Sequence, residues 1–144
     1  MNILADTNIL LRLDDATHPR HAAVQNRIRK LESRGDSLVL VPQTLYEYWT
    51  VATRSVAANG LGWQPNEVRD ALDRHLALMT LLQDSPDLAI VWLDLVTQHG
   101  VTGVNAHDAR LVAAMATHGI THLLTFNGRD FRRYAGVTVV EPQP

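Results

Sequence analysis

Apolar positions along this chain come in short uninterrupted runs and in longer stripes at helical spacing, and the two kinds alternate. Residues 2–5 (NILA) form a brief apolar run that stops at Asp6-Thr7-Asn8, the pattern of a buried strand ending in a polar turn. Ile9–Leu13 reads as a short helix. Over His18–Ser33, Ala22, Val24, Ile28 and Leu31 recur near helical spacing until Gly35-Asp36 ends the segment. LVLV at 38–41 is a second strand. Pro42 needs no amide proton at the first position of a helix and so opens one that runs to about Arg54. Residues 55–63 read as a loop, and Val68, Leu72, Leu76, Met79 and Leu82 carry a helix over 65–82, stopped by Asp84-Ser85-Pro86. Helices are expected again at Leu88–His99 and Ala106–His118, and strands at 121–126 and 137–140, with Asn127-Gly128 as a turn between them and the tail EPQP after the last. Short non-alternating strands interleaved with helices indicate βα units: an α/β fold of three layers, α/β/α, with a central parallel sheet of four or five strands. Neither a repeat nor a second domain is visible, so residues 1–144 are expected to form one domain.

Composition narrows the chemistry. Apolar residues make up 46% and charged residues 19%, which suits a globular domain. There is no cysteine, which removes disulfides, thiolate nucleophiles and cysteine zinc sites. No run of 18 apolar residues occurs and the N-terminus has no basic leader, so a cytoplasmic protein without a membrane span is expected. The formal net charge is −2, too little positive charge for a general basic coat on nucleic acid, and any nucleic-acid chemistry needs a local patch.

In parallel sheets ligands bind beyond the carboxyl ends of the strands, which places Asp6 and the Asn127–Asp130 turn on one edge. Asp6 is equally suited to cap the helix that follows it. Glu47 belongs to a polar stripe of Gln43, Glu47, Thr50 and Arg54 on a helix whose other side carries Leu45, Tyr48, Trp49 and Ala52, as on the wall of a cleft, although a solvated glutamate fits as well. Asp108 lies in the first turn of an apolar helix, where the dipole favours a carboxylate, and Asn105 beside it suggests a capping arrangement. Asp130 has Arg133 within pairing distance on a helix. The pairs His18/His21 and His118/His122 lack a third ligand, and they read as helix and surface histidines rather than a zinc site. His107, next to Asp108, is either a substrate contact or an ordinary helix-start residue.

Taken in order, NILADTNIL, the acid in QTLYEYW, VNAHDARLVAAM and HLLTFNGRDF resemble the PIN domain as found in VapC toxins, and the resemblance runs from end to end. It implies a PIN-like α/β/α fold and a metal-dependent endoribonuclease of a toxin–antitoxin pair. Metal-site carboxylates are implied at Asp6, Glu47, Asp108 and Asp130, the last sharing its segment with Asn127 as the other candidate for the fourth position, and Thr7, Asn8, Thr125 and Asn127 are implied in support. Mg²⁺ or Mn²⁺ is the expected cofactor, since hard divalent ions take oxygen ligands. RNA as substrate, a cognate antitoxin and a homodimer follow as the expected partners. Arg12, Arg54, Arg129, Arg132 and Arg133 are candidate phosphate contacts, with solvated arginines as the equal alternative. An aspartyl phosphoacceptor would want a lysine late in the chain, and none follows Lys30. A solitary RNA-processing nuclease and an inactive binding module on the same fold are the remaining alternatives.

Overall fold

The computed structural model describes residues 1–143, so the last residue of the expected tail lies outside them. Five strands, β1 (Asn2–Ala5), β2 (Ser37–Leu40), β3 (Thr80–Leu81), β4 (His122–Leu124) and β5 (Thr138–Val140), form one sheet in the order β3-β2-β1-β4-β5. All neighbouring pairs are parallel. The helices are α1 (Thr7–Asp14), α2 (His21–Ser33), α3 (Pro42–Thr53), α4 (Pro65–Leu78), α5 (Leu88–Gln98), α6 (Asn105–Thr117) and α7 (Gly128–Phe131), with a 3-10 turn at Val56–Ala58.

Alternation along the strands decides which helices lie on which face. Leu4, Val39 and Leu123 pack with Leu88, Val112 and Met115 of α5 and α6. Their strand neighbours point the other way: Ala5 and Leu40 meet Leu10, Tyr48 and Leu72, while Ile3, Leu38 and Leu124 meet Ile9, Val24 and Ile28. The sheet is therefore covered by α1–α4 on one face and by α5 and α6 on the other. Leu4, Leu10, Leu40 and Leu123 are fully buried, and each such side chain contributes roughly 1.5–3 kcal/mol by leaving water. The Trp92 indole N–H donates to the Ala106 carbonyl at 2.8 Å, which fixes the start of α6 against α5. Gly119, at φ 65°, ends α6 in the left-handed conformation that a residue with a Cβ adopts only with strain.

The helix expected over 65–82 is shorter than its periodicity suggests. α4 stops at Leu78, and Thr80–Leu81 pair with Val39–Leu40 as the edge strand β3. No helix among the described residues is long and apolar enough to cross a membrane.

Candidate active site

Asp6 stands where the chain leaves β1 and turns into α1. It is the N-cap of that helix, in extended conformation at φ −71° and ψ 155°. One carboxylate oxygen, Oδ1, accepts the Thr7 backbone N–H at 2.7 Å. The other, Oδ2, accepts the Thr125 hydroxyl at 2.6 Å and the Asn8 side-chain amide at 3.0 Å. Thr125, just past β4, also accepts the Asn127 N–H at 3.0 Å, and Asn8 Oδ1 accepts the Phe126 N–H at 3.1 Å. Capping and convergence are thus properties of the same side chain, and Thr7, Asn8 and Thr125 each donate a hydrogen bond to it.

Glu47 joins this network from α3. Its Oε2 accepts the Thr7 hydroxyl at 3.0 Å and its Oε1 accepts the Gln43 amide at 2.8 Å. Thr7 therefore bridges two acids, giving its N–H to one and its O–H to the other. Asp108, half-buried in the first turn of α6, faces the same space. The capping arrangement expected with Asn105 does not form. Val104 occupies the cap position without a side-chain bond, and Asn105 is the first helical residue.

Asp6, Glu47 and Asp108 line one cleft of about 380 Å³ together with Thr7, Asn8, Tyr46, Thr50 and Asn127. Only 8% of Asp6 is exposed, and this burial is the main reason its carboxyl is pushed up to about 6. The donors from Thr125 and Thr7 oppose the rise, and the charges of Glu47 and Asp108 add to it. The Asp108 carboxyl is also raised, first by burial and then by the charges of Asp130 and Glu47, with His107 acting the other way.

Asp130 is close enough to be felt at Asp108 but does not line the cleft. It is exposed on α7 and borders a neighbouring hollow with Asn105, Arg129, Arg133 and Tyr134. Asn127 is the member of that turn that lines the cleft. The turn is held in place where Gly128 lies so near Val139 and Glu141 that a Cβ would collide with them. Of the five arginines, Arg129 and Arg133 border the hollow. Arg132 instead faces Glu141, and Arg54 reaches the Asn59 carbonyl. Arg12, in the last turn of α1, has its carbonyl against the His21 ring. His118 Nε2 lies 2.7 Å from the Gln83 carbonyl, and His122 Nδ1 lies 2.8 Å from the Thr121 hydroxyl.

Two residues behind the cleft were not named as site residues from sequence, although Gln43 stood in the polar stripe. Gln43 is buried and holds Glu47, and Arg110 holds Gln43, with Nη1 donating to its Oε1 at 3.1 Å. No group of three or more His, Asp or Glu among the described residues stands close enough together to enclose an ion by itself. The donor set nevertheless fits Mg²⁺, because three carboxylates around one cleft offer hard oxygens, and Mg²⁺ keeps several waters while binding through one or two carboxylates.

A family model described as PIN domain matches residues 3–137. No curated protein matches the sequence. Among solved structures, the chain is similar to VapBC2 from Rickettsia felis bound to a DNA fragment from their promoter, with a TM-score of 0.73, 16% identity and 98% of each chain covered. It is similar to VapC20 of Mycobacterium tuberculosis, a sarcin–ricin loop cleaving toxin, with a TM-score of 0.71, 20% identity and 97% and 99% of the two chains covered. VapBC-1 from nontypeable Haemophilus influenzae gives a TM-score of 0.70 at 17% identity over 98% of each chain. At these identities the likeness is one of fold.

Proposed function

The chain belongs to the PIN-domain family, and on that premise we propose that it is a metal-dependent endoribonuclease acting as the toxin of a toxin–antitoxin pair. The observation that carries the reading is the sharing of one cleft by Asp6, Glu47 and Asp108, with Asp6 buried and its carboxyl raised to about 6. The charges of Glu47 and Asp108 add to the rise at Asp6, and a divalent cation between them relieves that repulsion. Asp6, Glu47 and Asp108 would hold Mg²⁺ or Mn²⁺, whose positive charge, when bound, serves the attacking and leaving oxygens of a phosphodiester.

The remaining tasks fall to the chain. Thr7, Asn8 and Thr125 fix the Asp6 carboxylate through donors alone, which favours its charged form. Thr7 and Gln43 do the same for Glu47. Tyr46 is 63% exposed and lines the cleft, offering an aromatic face on which an unpaired base can stack. Arg129 and Arg133, which border the neighbouring hollow, would meet the phosphates that flank the cut.

The similar VapBC2 and VapBC-1 structures support a cognate antitoxin as partner. A cationic side chain from it would occupy the carboxylate cleft in place of metal. A homodimer is part of the same proposal, to be checked by light scattering.

The deciding experiment is cleavage of a panel of RNAs in Mg²⁺ and in chelator. Wild type is expected to cut only with metal, while Glu47→Gln and Asp108→Asn fold but do not cut. Asp94→Asn, at an exposed position on α5, keeps full activity. Cleavage that survives chelation, or equal activity in all four proteins, overturns the proposal.

A further inference from the structure

We propose that Gln43 and Arg110 are positioning residues that hold Glu47 for a divalent cation, an inference that rests on the metal-nuclease reading above. The Gln43 amide is buried, and its nitrogen donates to Glu47 Oε1 and to the His107 carbonyl, each at 2.8 Å. Its oxygen accepts from Arg110 Nη1 at 3.1 Å. Two acceptors on one side and a guanidinium on the other leave the amide one orientation. Turned over, its oxygen would face a carboxylate and a carbonyl while its NH₂ group faced a cation.

Arg110 is itself held. Its Nη2 donates to Asp84 Oδ2 at 2.9 Å in the loop after β3. The hydrogen bonds therefore run in one line, from Asp84 through Arg110 and Gln43 to Glu47, and on through Thr7 to Asp6.

Three observations point to positioning rather than to stability alone. The Asp84–Arg110 pair is about a third exposed on each side, and such pairs contribute little to folding. Glu47 is only half-buried, so water could satisfy Oε1 without any protein donor. Gln43 also ties α3 to α6 at His107, the residue next to Asp108, so one amide sets how far Glu47 stands from Asp108 across the cleft. Partners of this kind, lying one shell behind a metal, typically change metal affinity by roughly 10–100-fold when removed.

The test uses the full chain and Mn²⁺ alone, with free Mn²⁺ followed by electron paramagnetic resonance and the melting temperature recorded for each protein. Gln43→Leu and Arg110→Met are expected to bind Mn²⁺ roughly tenfold more weakly or worse, and Arg110→Lys to recover part of the loss. RNA cleavage by Arg110→Met should return as Mn²⁺ is raised, which a collapsed structure would not allow. Wild-type Mn²⁺ affinity in Arg110→Met overturns the proposal, whether or not its melting temperature falls and whether or not Gln43→Leu folds. If wild type binds Mn²⁺ no more tightly than Glu47→Gln, the metal site itself is wrong and the positioning role falls with it.

Discussion

The Thr125 hydroxyl donates to Asp6 Oδ2 at 2.6 Å across 119 residues of chain, and both side chains are buried. That bond joins the turn after the central strand to the turn after its neighbour. Thr125→Val removes a donor to a charged acceptor and also strands the Asn127 N–H. A loss of about 1.5–3 kcal/mol at pH 7 is expected in urea unfolding, with Thr125→Ser losing only about 1 kcal/mol for its methyl group. Valine and threonine proteins of equal stability would contradict the role given to this bond.

Asp6 makes stability depend on pH in a defined direction. Its folded pKa of about 6 lies above the ordinary 3.8, so between those values the folded chain keeps a proton that the unfolded chain releases. Stability from this group therefore falls as pH rises from about 4 to about 6 and is level above that. The full difference amounts to about 3 kcal/mol. Asp6→Asn abolishes this dependence but places an NH₂ group where Oδ2 now accepts two donors. In chelator, the mutant should be the less stable protein at pH 4 and should gain on wild type up to pH 7. Mg²⁺ at pH 7 should then favour wild type. A stability difference that is flat with pH would show that burial does not raise the Asp6 carboxyl.

Asp130 and Asn127 separate by experiment. The charge of Asp130 raises the Asp108 carboxyl, so Asp130→Asn lowers it and shifts the acid limb of the cleavage profile to lower pH. Activity at pH 7.5 should stay within about threefold, the scale of an exposed charge pair. Asn127→Ala alters the cleft wall itself and is expected to cost more. The opposite ranking would put the fourth acid in the machinery.

Tyr46→Leu keeps an apolar side chain on α3 but removes the aromatic face. Affinity for a short single-stranded RNA in chelator should fall by about 1–3 kcal/mol, and an RNA lacking one base should bind wild type and mutant alike. An unchanged affinity for the intact RNA would leave Tyr46 outside the binding surface.

A cluster away from the cleft bears on stability. The Tyr48 hydroxyl and His75 Nε2 each lie 2.6 Å from Asp14 Oδ2, and Tyr48 and His75 are buried. Tyr48→Phe removes the hydroxyl from a carboxylate that keeps its histidine, and thermal unfolding should show a loss of about 1.5–3 kcal/mol without change in cleavage.

β1, β2, β4 and β5 were legible because their apolar runs end at polar punctuation, and α2 to α6 because their apolar residues recur over several turns, whereas the short α7 lies where only a turn was expected. β3 was not. Met79 and Leu82 continue the helical spacing of residues 65–82, and only pairing with Val39–Leu40 makes Thr80–Leu81 a strand. Asp6 could be placed at the sheet edge because it follows a strand, and Glu47 stood out in a polar stripe on a helix, whereas Asp108, in the first turn of a helix that follows no strand, joined them through the resemblance alone. Asp130 drew attention by its charge, yet the packing of Gly128 against Val139 and Glu141 brings Asn127 to the cleft. Gln43 stood in the polar stripe, but its partners His107 and Arg110 are 64 and 67 residues away, beyond any local pattern.

The sheet order has a temporal side as well. β1 is synthesised first and ends up in the middle, with β4 as one neighbour. A chain emerging from the ribosome therefore carries Asp6 for most of its synthesis without the Thr125 donor and without the wall that buries it. For an enzyme proposed to cut RNA, a complete cleft therefore waits on α6 and on the turn after β4, which supply Asp108 and Asn127.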